Sequence, residues 1–146
     1  METLRKGHHS AYQIHYHFVT PIKYRKAIFD YKERCNSLIL ITKEIEERYE
    51  IKFEQVGIDV NHVHYLLSSS PKLAPGRIIQ IVKSIMAREL FRRHPDLKKE
   101  LWGGELWSDG YFVATIGEGG NREVILSYVA KQGIKNPEQQ LKLFNF

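Results

Sequence analysis

The sequence has little cysteine and no long apolar run. Cys35 is its only cysteine, so an internal disulfide and a cysteine-based zinc cluster are both excluded. No apolar stretch approaches the roughly 18 residues that a membrane-spanning helix needs. The segment Met1 to Ser10 (METLRKGHHS) is polar and basic, without the apolar core of a secretory leader. That predicts a cytoplasmic protein. Low-complexity tracts, internal repeats and linker-like stretches are missing as well, so residues 1–146 read as one domain. At 42 % apolar and 27 % charged residues, the composition belongs to neither a disordered chain nor a membrane protein.

Acidic residues are the minority, at 17 against 22 basic ones. Their placement is uneven. Met1 to Arg34 holds seven Lys/Arg and three acids, and Pro71 to Lys99 holds eight and two. Ile41 to Val60 reverses the balance, with three and six. Positive charge gathered in two stretches suits a polyanionic partner. Solubility alone is the other reading.

Tyr12 to Thr20 (YQIHYHFVT) is aromatic and β-branched, a strand pattern that Pro21 ends. Leu38, Ile41, Ile45 and Tyr49 recur at helical spacing, which predicts a helix over 31–49. Ile51 to Asp59 alternates as a strand. Val60 and Asn61 link it to a second strand, His62 to Ser70, as a hairpin. Pro75 and Gly76 open a second helix, with an apolar stripe reaching about Arg93, and Pro95 stops it. Leu97 to Asp109 reads as irregular, and Gly110 to Ile116 as a strand. After the loop Gly117 to Gly120, Asn121 to Gln132 reads as a helix capped by Asn121 and stopped by Gly133. The order is β-α-β-β-α-β and one further helix. That is an α+β, ferredoxin-like antiparallel sheet with helices on one face.

His62 and His64 are two apart in a predicted strand. They therefore share a face, with Cα atoms about 6.7 Å apart, and both can reach one divalent cation. Val63 points the other way. Two hydrogen-bonded histidines on a half-buried sheet give the same pattern. Tyr128 and Gln132 are four apart on the last predicted helix, about 6 Å along its axis. Tyrosine can act as a nucleophile, and an amide oxygen suits Mg²⁺ or Mn²⁺. A tyrosine packed on the sheet beside a solvated glutamine is the alternative.

Taken together these segments resemble the single-tyrosine HUH transposases, TnpA-like, of the IS-two-hundred group of insertion sequences. HUH stands for His, a bulky apolar residue, His, which His62-Val63-His64 matches. His17-Phe18-Val19-Thr20 followed by Lys23-Tyr24-Arg25 is similar to an N-terminal segment of the family. Trp107 through Thr115 (WSDGYFVAT) resembles a second, and Tyr128-Val129-Ala130-Lys131-Gln132 matches the nucleophile helix. The resemblance runs from about Tyr12 to Gln132. Two departures are visible. Asn61 stands where the family usually has Asp, and Ile22 lengthens the stretch before Lys23.

The resemblance implies cleavage and rejoining of single-stranded DNA at hairpin-marked element ends. His62, His64 and Gln132 would hold Mg²⁺ or Mn²⁺, and Tyr128 on a C-terminal helix would form a 5′-phosphotyrosine link. It also implies a homodimer with shared active sites and no role for a membrane. Lys23, Arg25, Lys83, Arg88 and Arg92 are candidates for DNA contacts, with Tyr24 and Phe29 near the first two for base stacking. An ordinary solvated basic face is their alternative. Trp102 and Trp107 suit either base stacking or a core. His8, His9, His15 and His94 read as structural or surface groups, and His17 as at most a supporting one. Two other functions fit the same residues: a domesticated relative acting on dispersed palindromic repeats, and a non-catalytic nucleic-acid-binding module on this fold. A metal-dependent phosphohydrolase that holds no product on tyrosine is a third.

Overall fold

The computed structural model describes residues 5–6, 11–12 and 14–116. Its elements are β1 (His15–Pro21), α1 (Lys32–Arg48), β2 (Ile51–Ile58), β3 (His62–Ser69), α2 (Pro75–Arg93), the short α3 (Leu97–Glu100) and β4 (Phe112–Ile116). The four strands form one antiparallel sheet in the order β2-β3-β1-β4. This is the ferredoxin-like βαββαβ arrangement expected from the pattern. The additional helix expected over 121–132, with its Tyr128 and Gln132, lies outside the described residues, as does the loop 117–120.

Side chains alternate across the sheet. Tyr16 and Phe18 of β1 and Val63, Tyr65 and Leu67 of β3 face the helices. There they join Leu38, Ile41 and Ile45 of α1 and Ile78, Val82 and Met86 of α2 in one core. Leu38, Ile41 and Ile45 are completely buried. Each such side chain contributes roughly 2 kcal/mol of burial free energy. The opposite face carries His15, His17 and Val19 from β1, aligned with Ser68, Leu66 and His64 of β3.

The ends of the elements have local causes. β1 begins at His15, later than the expected Tyr12, because its partner runs out: His15 opposes Ser68, one residue before β3 ends. Ala11–Tyr12 pairs instead with Arg5–Lys6. β4 begins at Phe112 and not at Gly110, whose positive φ of 81° turns the chain. α2 starts on Pro75, where a missing amide hydrogen costs nothing, and ends before Pro95. Within the stretch expected to be irregular, Leu97 is buried and anchors α3.

The hairpin between β2 and β3 is closed by Val60 and Asn61. Its tip is pinned from outside: the Phe29 amide donates to the Val60 carbonyl (3.0 Å), and the Ile22 amide to the Asn61 carbonyl (2.9 Å). Loop carbonyls that would otherwise need water are thereby paired, and the tip is fixed to the chain leaving β1.

That chain contains the only non-glycine residues with positive φ among those described, Tyr24 (58°) and Arg25 (53°). A left-handed residue with a Cβ costs roughly 1–2 kcal/mol, so this turn persists only because its surroundings impose it. The Lys23 amide donates to the Leu106 carbonyl (2.9 Å), and the Arg25 amide to Ile22 (2.9 Å). Ser108 holds both Pro21, through its amide (2.9 Å), and Ile22, through its hydroxyl (3.0 Å). Lys23 Nζ pairs with Glu105 at 2.8 Å.

Arg34 is the charged residue whose burial the sequence pattern least suggests. Only 2 % exposed, it donates to the Ile28 carbonyl (2.9 Å) and to Asp96 (2.7 Å), and it also pairs with Glu100. Its guanidinium lies 4.3 Å from the centre of the Tyr31 ring. It therefore ties the start of α1 to α3. Because both carboxylates are partly solvated, their share is modest; the paired carbonyl and the packing of the stem add to it. Arg34→Ala is expected to lower the unfolding free energy by about 2–3 kcal/mol in urea titration. Arg34→Lys should recover little, since a point ammonium cannot serve three directions. A loss below about 0.5 kcal/mol would show the network to be worth no more than a surface ion pair.

Candidate active site

His62 and His64 lie on the sheet face opposite the helices, as their spacing predicts. Their ring centroids are 4.8 Å apart and the ring planes 68° apart. Both side chains are nearly inaccessible, at 3 % and 1 % exposed. Burial pushes the His64 pKa down to about 2, and the neighbouring His62 and His17 push it the same way. Burial also lowers the pKa of His62; Asp59 opposes that shift and Arg25 adds to it. Both rings are therefore neutral near pH 7, the form in which imidazole offers a lone pair to a metal.

The far nitrogens are held. His62 Nδ1 donates to Asn61 Oδ1 at 2.7 Å. Asn61, the departure noted in the sequence, thus holds the ring with a neutral amide oxygen. The donation fixes the tautomer, so the lone pair of His62 sits on Nε2. That atom is buried and has no hydrogen-bond partner among the described residues; the nearest acid, Asp59, has an oxygen 3.8 Å away. A buried ring nitrogen that keeps its lone pair and has no hydrogen-bond donor among the described residues fits a metal ligand. His64 Nδ1 lies 3.4 Å from His17 Nε2, with the two rings stacked at 5.5 Å and 19°. Burial lowers the His17 pKa to about 4, so His17 can accept from His64 Nδ1. Phe112 closes the side of His17, edge-on at 6.3 Å. The role of His17 was only weakly visible in the sequence, where it and His64 are far apart. Their adjacency follows from the β1–β3 register.

Among the described residues no group of three His, Cys, Asp or Glu side chains is placed to hold a metal ion. The expected third ligand, Gln132, and the expected nucleophile, Tyr128, lie outside the described residues.

The five basic candidates are dispersed. Arg25 follows the Ile22 contact to Asn61 and is exposed beside the histidine end of the sheet. Lys23 is paired with Glu105. Lys83 Nζ donates to the Ser108 and Gly110 carbonyls at 3.1 and 3.0 Å, fastening the 108–110 segment to α2. Arg88 and Arg92 are exposed on α2, on the helix side of the sheet, where Arg92 pairs with Glu89 at 2.7 Å. A cleft of about 480 Å³ between α2 and the 104–111 segment is likewise on the helix side, away from the histidines. The two tryptophans separate: Trp107 is 6 % exposed and donates its indole N–H to the Lys83 carbonyl (2.9 Å), whereas Trp102 is 80 % exposed.

A ferredoxin-like sheet presenting an H-x-H pair on the face opposite α1 and α2, within a basic chain, fits the HUH pattern that the sequence resembles. The match to known families is narrower. The family model for IS200-like transposases covers residues 10–132, and the chain belongs to that family. It is 32 % identical over 129 residues to the ISDra2 transposase TnpA of Deinococcus radiodurans, covering 88 % of this chain and 91 % of that one. It is 27 % identical over 124 residues to the transposase for insertion sequence element IS200 of Salmonella typhimurium, covering 85 % and 80 %. A crystal structure of a Deinococcus radiodurans R1 protein described as a transposase superposes with a TM-score of 0.72 at 28 % identity, covering 88 % of this chain and 97 % of that one. A REP-associated tyrosine transposase bound to a REP hairpin shares the fold, with a TM-score of 0.55 at 10 % identity and coverage of 92 % and 79 %. No helix among the described residues is long and apolar enough to cross a membrane.

Proposed function

We propose that this transposase cleaves and rejoins single-stranded DNA at hairpin-marked ends of its element, through a covalent tyrosine link and with a divalent cation. The observation that carries the reading is the buried, neutral histidine pair, with far nitrogens held by Asn61 and His17 and the Nε2 of His62 unpartnered among the described residues. His62 and His64, through Nε2, and Gln132, through its amide oxygen, would hold Mg²⁺ or Mn²⁺. When bound, such a cation supplies positive charge against the scissile phosphate.

The chain's own residues do the rest. Tyr128 Oη attacks phosphorus as the P–O3′ bond breaks. The tyrosine proton leaves to solvent, and the departing 3′ oxygen gains one. The product is a 5′-phosphotyrosine and a free 3′-hydroxyl, and the reverse attack by a second 3′-hydroxyl rejoins DNA without ATP. The protein would work as a homodimer in which Tyr128 of one subunit faces the histidines of the other, so that two element ends are processed together. Action on dispersed palindromic repeats would use the same chemistry; flanking subterminal hairpins and multiple genomic copies separate the two.

The test incubates a labelled single-stranded element end with the protein and Mg²⁺ or Mn²⁺, then separates products under denaturing conditions. A protein-linked DNA band is expected with metal and none after chelation. A cleaved strand with no protein attached would mean a phosphohydrolase, and undiminished cleavage in chelator would remove the metal from the mechanism.

A further inference from the structure

We propose that Tyr24 and Trp102 form a stacking platform for an unpaired base of the single-stranded DNA that flanks the hairpin. The inference rests on the DNA reading above and extends it to a site on the strained turn and the end of α3.

The two rings lie nearly parallel, 18° apart, with centroids 6.3 Å apart. Both are exposed, Tyr24 at 58 % and Trp102 at 80 %. An indole packed for stability is normally covered; this stacked pair is instead largely exposed to solvent. Every nucleobase has a π-face, so such a surface binds unpaired bases with little sequence preference.

Backbone strain points the same way. Tyr24 and Arg25 occupy left-handed conformations that glycine or asparagine would adopt at lower cost. Leu106, Ser108 and the Lys23 pair with Glu105 hold the turn there. The imposed conformation puts the tyrosine ring outward, beside Trp102.

Charge completes the surface. Arg25 and Lys26 are exposed on the turn, and Lys98 and Lys99 on α3 just before Trp102. Lys23 Nζ lies 5.6 Å from the Tyr24 ring centre, and it offsets the acid Glu105. Stacked rings edged by cations are the combination that tracks a single strand, with bases on the rings and phosphates on the lysines and arginines. The platform is also anchored near the histidines. Ile22, one residue before the turn, donates to the carbonyl of Asn61, whose side chain holds His62. A base resting on Tyr24 would therefore position the strand that reaches the reaction site.

The experiment measures binding, not cleavage. Full-length protein carrying Tyr128→Phe, in chelator, is titrated by fluorescence anisotropy into a blunt DNA hairpin and into the same hairpin with a short unpaired tail. Trp102→Ala and Tyr24→Ala should weaken binding of the tailed hairpin about five- to a hundredfold, the effect of losing one base–aromatic stack. Blunt hairpin binding and thermal stability should stay unchanged, since both rings are on the surface. Trp102→Phe should restore most of the affinity. Abasic nucleotides throughout the tail should weaken the parent to the same degree and remove any further effect of Trp102→Ala. Equal binding of the tailed hairpin by parent and Trp102→Ala would overturn the platform, as would an equal loss on blunt and tailed DNA. Failure of the parent to bind either hairpin would overturn the DNA reading along with it.

Discussion

A Tyr128→Phe variant is expected to bind hairpin DNA as the parent does and to form no covalent adduct. The substitution removes a single oxygen, and that oxygen is the proposed attacking atom. Without it the reaction loses its route, and cleavage should fall by roughly 10³-fold or more. An adduct that persists in the phenylalanine variant would assign the nucleophile elsewhere. The same variant tests whether the sites are shared between subunits. Mixed with His64→Ala under conditions that allow subunit exchange, it generates heterodimers. If tyrosine and histidines come from different subunits, one composite site carries both lesions and the other carries neither, so a fraction of the activity returns. No recovery despite demonstrated exchange would mean that Tyr128 serves the histidines of its own chain.

Replacing His64 by alanine should have an effect of similar size on cleavage while leaving hairpin affinity within about threefold, because hairpin binding is expected to rest mainly on phosphate contacts and stacking. Charge stabilisation by a bound cation is worth several kcal/mol, and each 1.4 kcal/mol is about tenfold, so a loss of ~10³-fold is expected. His62→Ala should behave alike. Asn61→Ala and His17→Leu touch only the far nitrogens, and each should weaken Mn²⁺ binding about 10- to 100-fold without abolishing it. Gln132→Ala should be milder than either histidine variant, since water can replace a neutral oxygen. Undiminished cleavage by a histidine variant would eliminate the metal site at this position.

Much of this arrangement was legible in the sequence because it is written in short-range signals. Pro75 and Pro95 bracket α2, the apolar residues of α1 recur at one period, and the alternation around Val63 places both histidines on one face. Where the reading depended on distant residues it was blind. The approach of His17 to His64 is a matter of strand register, which no local pattern reports. Arg34 looks like any surface arginine until Ile28, Asp96 and Glu100 surround it. Trp102 and Trp107 share one short glycine-containing segment, yet one is a core residue and the other a surface ring. Lys83 reads as a candidate phosphate contact and is engaged with two backbone carbonyls. The left-handed turn at Tyr24 and Arg25 contains none of the residues that announce such a conformation. The positions of Tyr128 and Gln132 in space lie outside the described residues.

The strand order has a consequence for the making of the protein. Of the four strands in the sheet β1 is synthesised first, but it occupies an interior place whose outer neighbour, β4, is synthesised last of the four: His15 lies against Ile116. The β2–β3 hairpin and α1 can assemble early from near neighbours, and β3 then captures β1. Until residue 116 is synthesised, one edge of β1, with its run of aromatic and β-branched residues, stays unpaired. That is the interval in which a nascent chain of this topology is most exposed to pairing with a wrong strand.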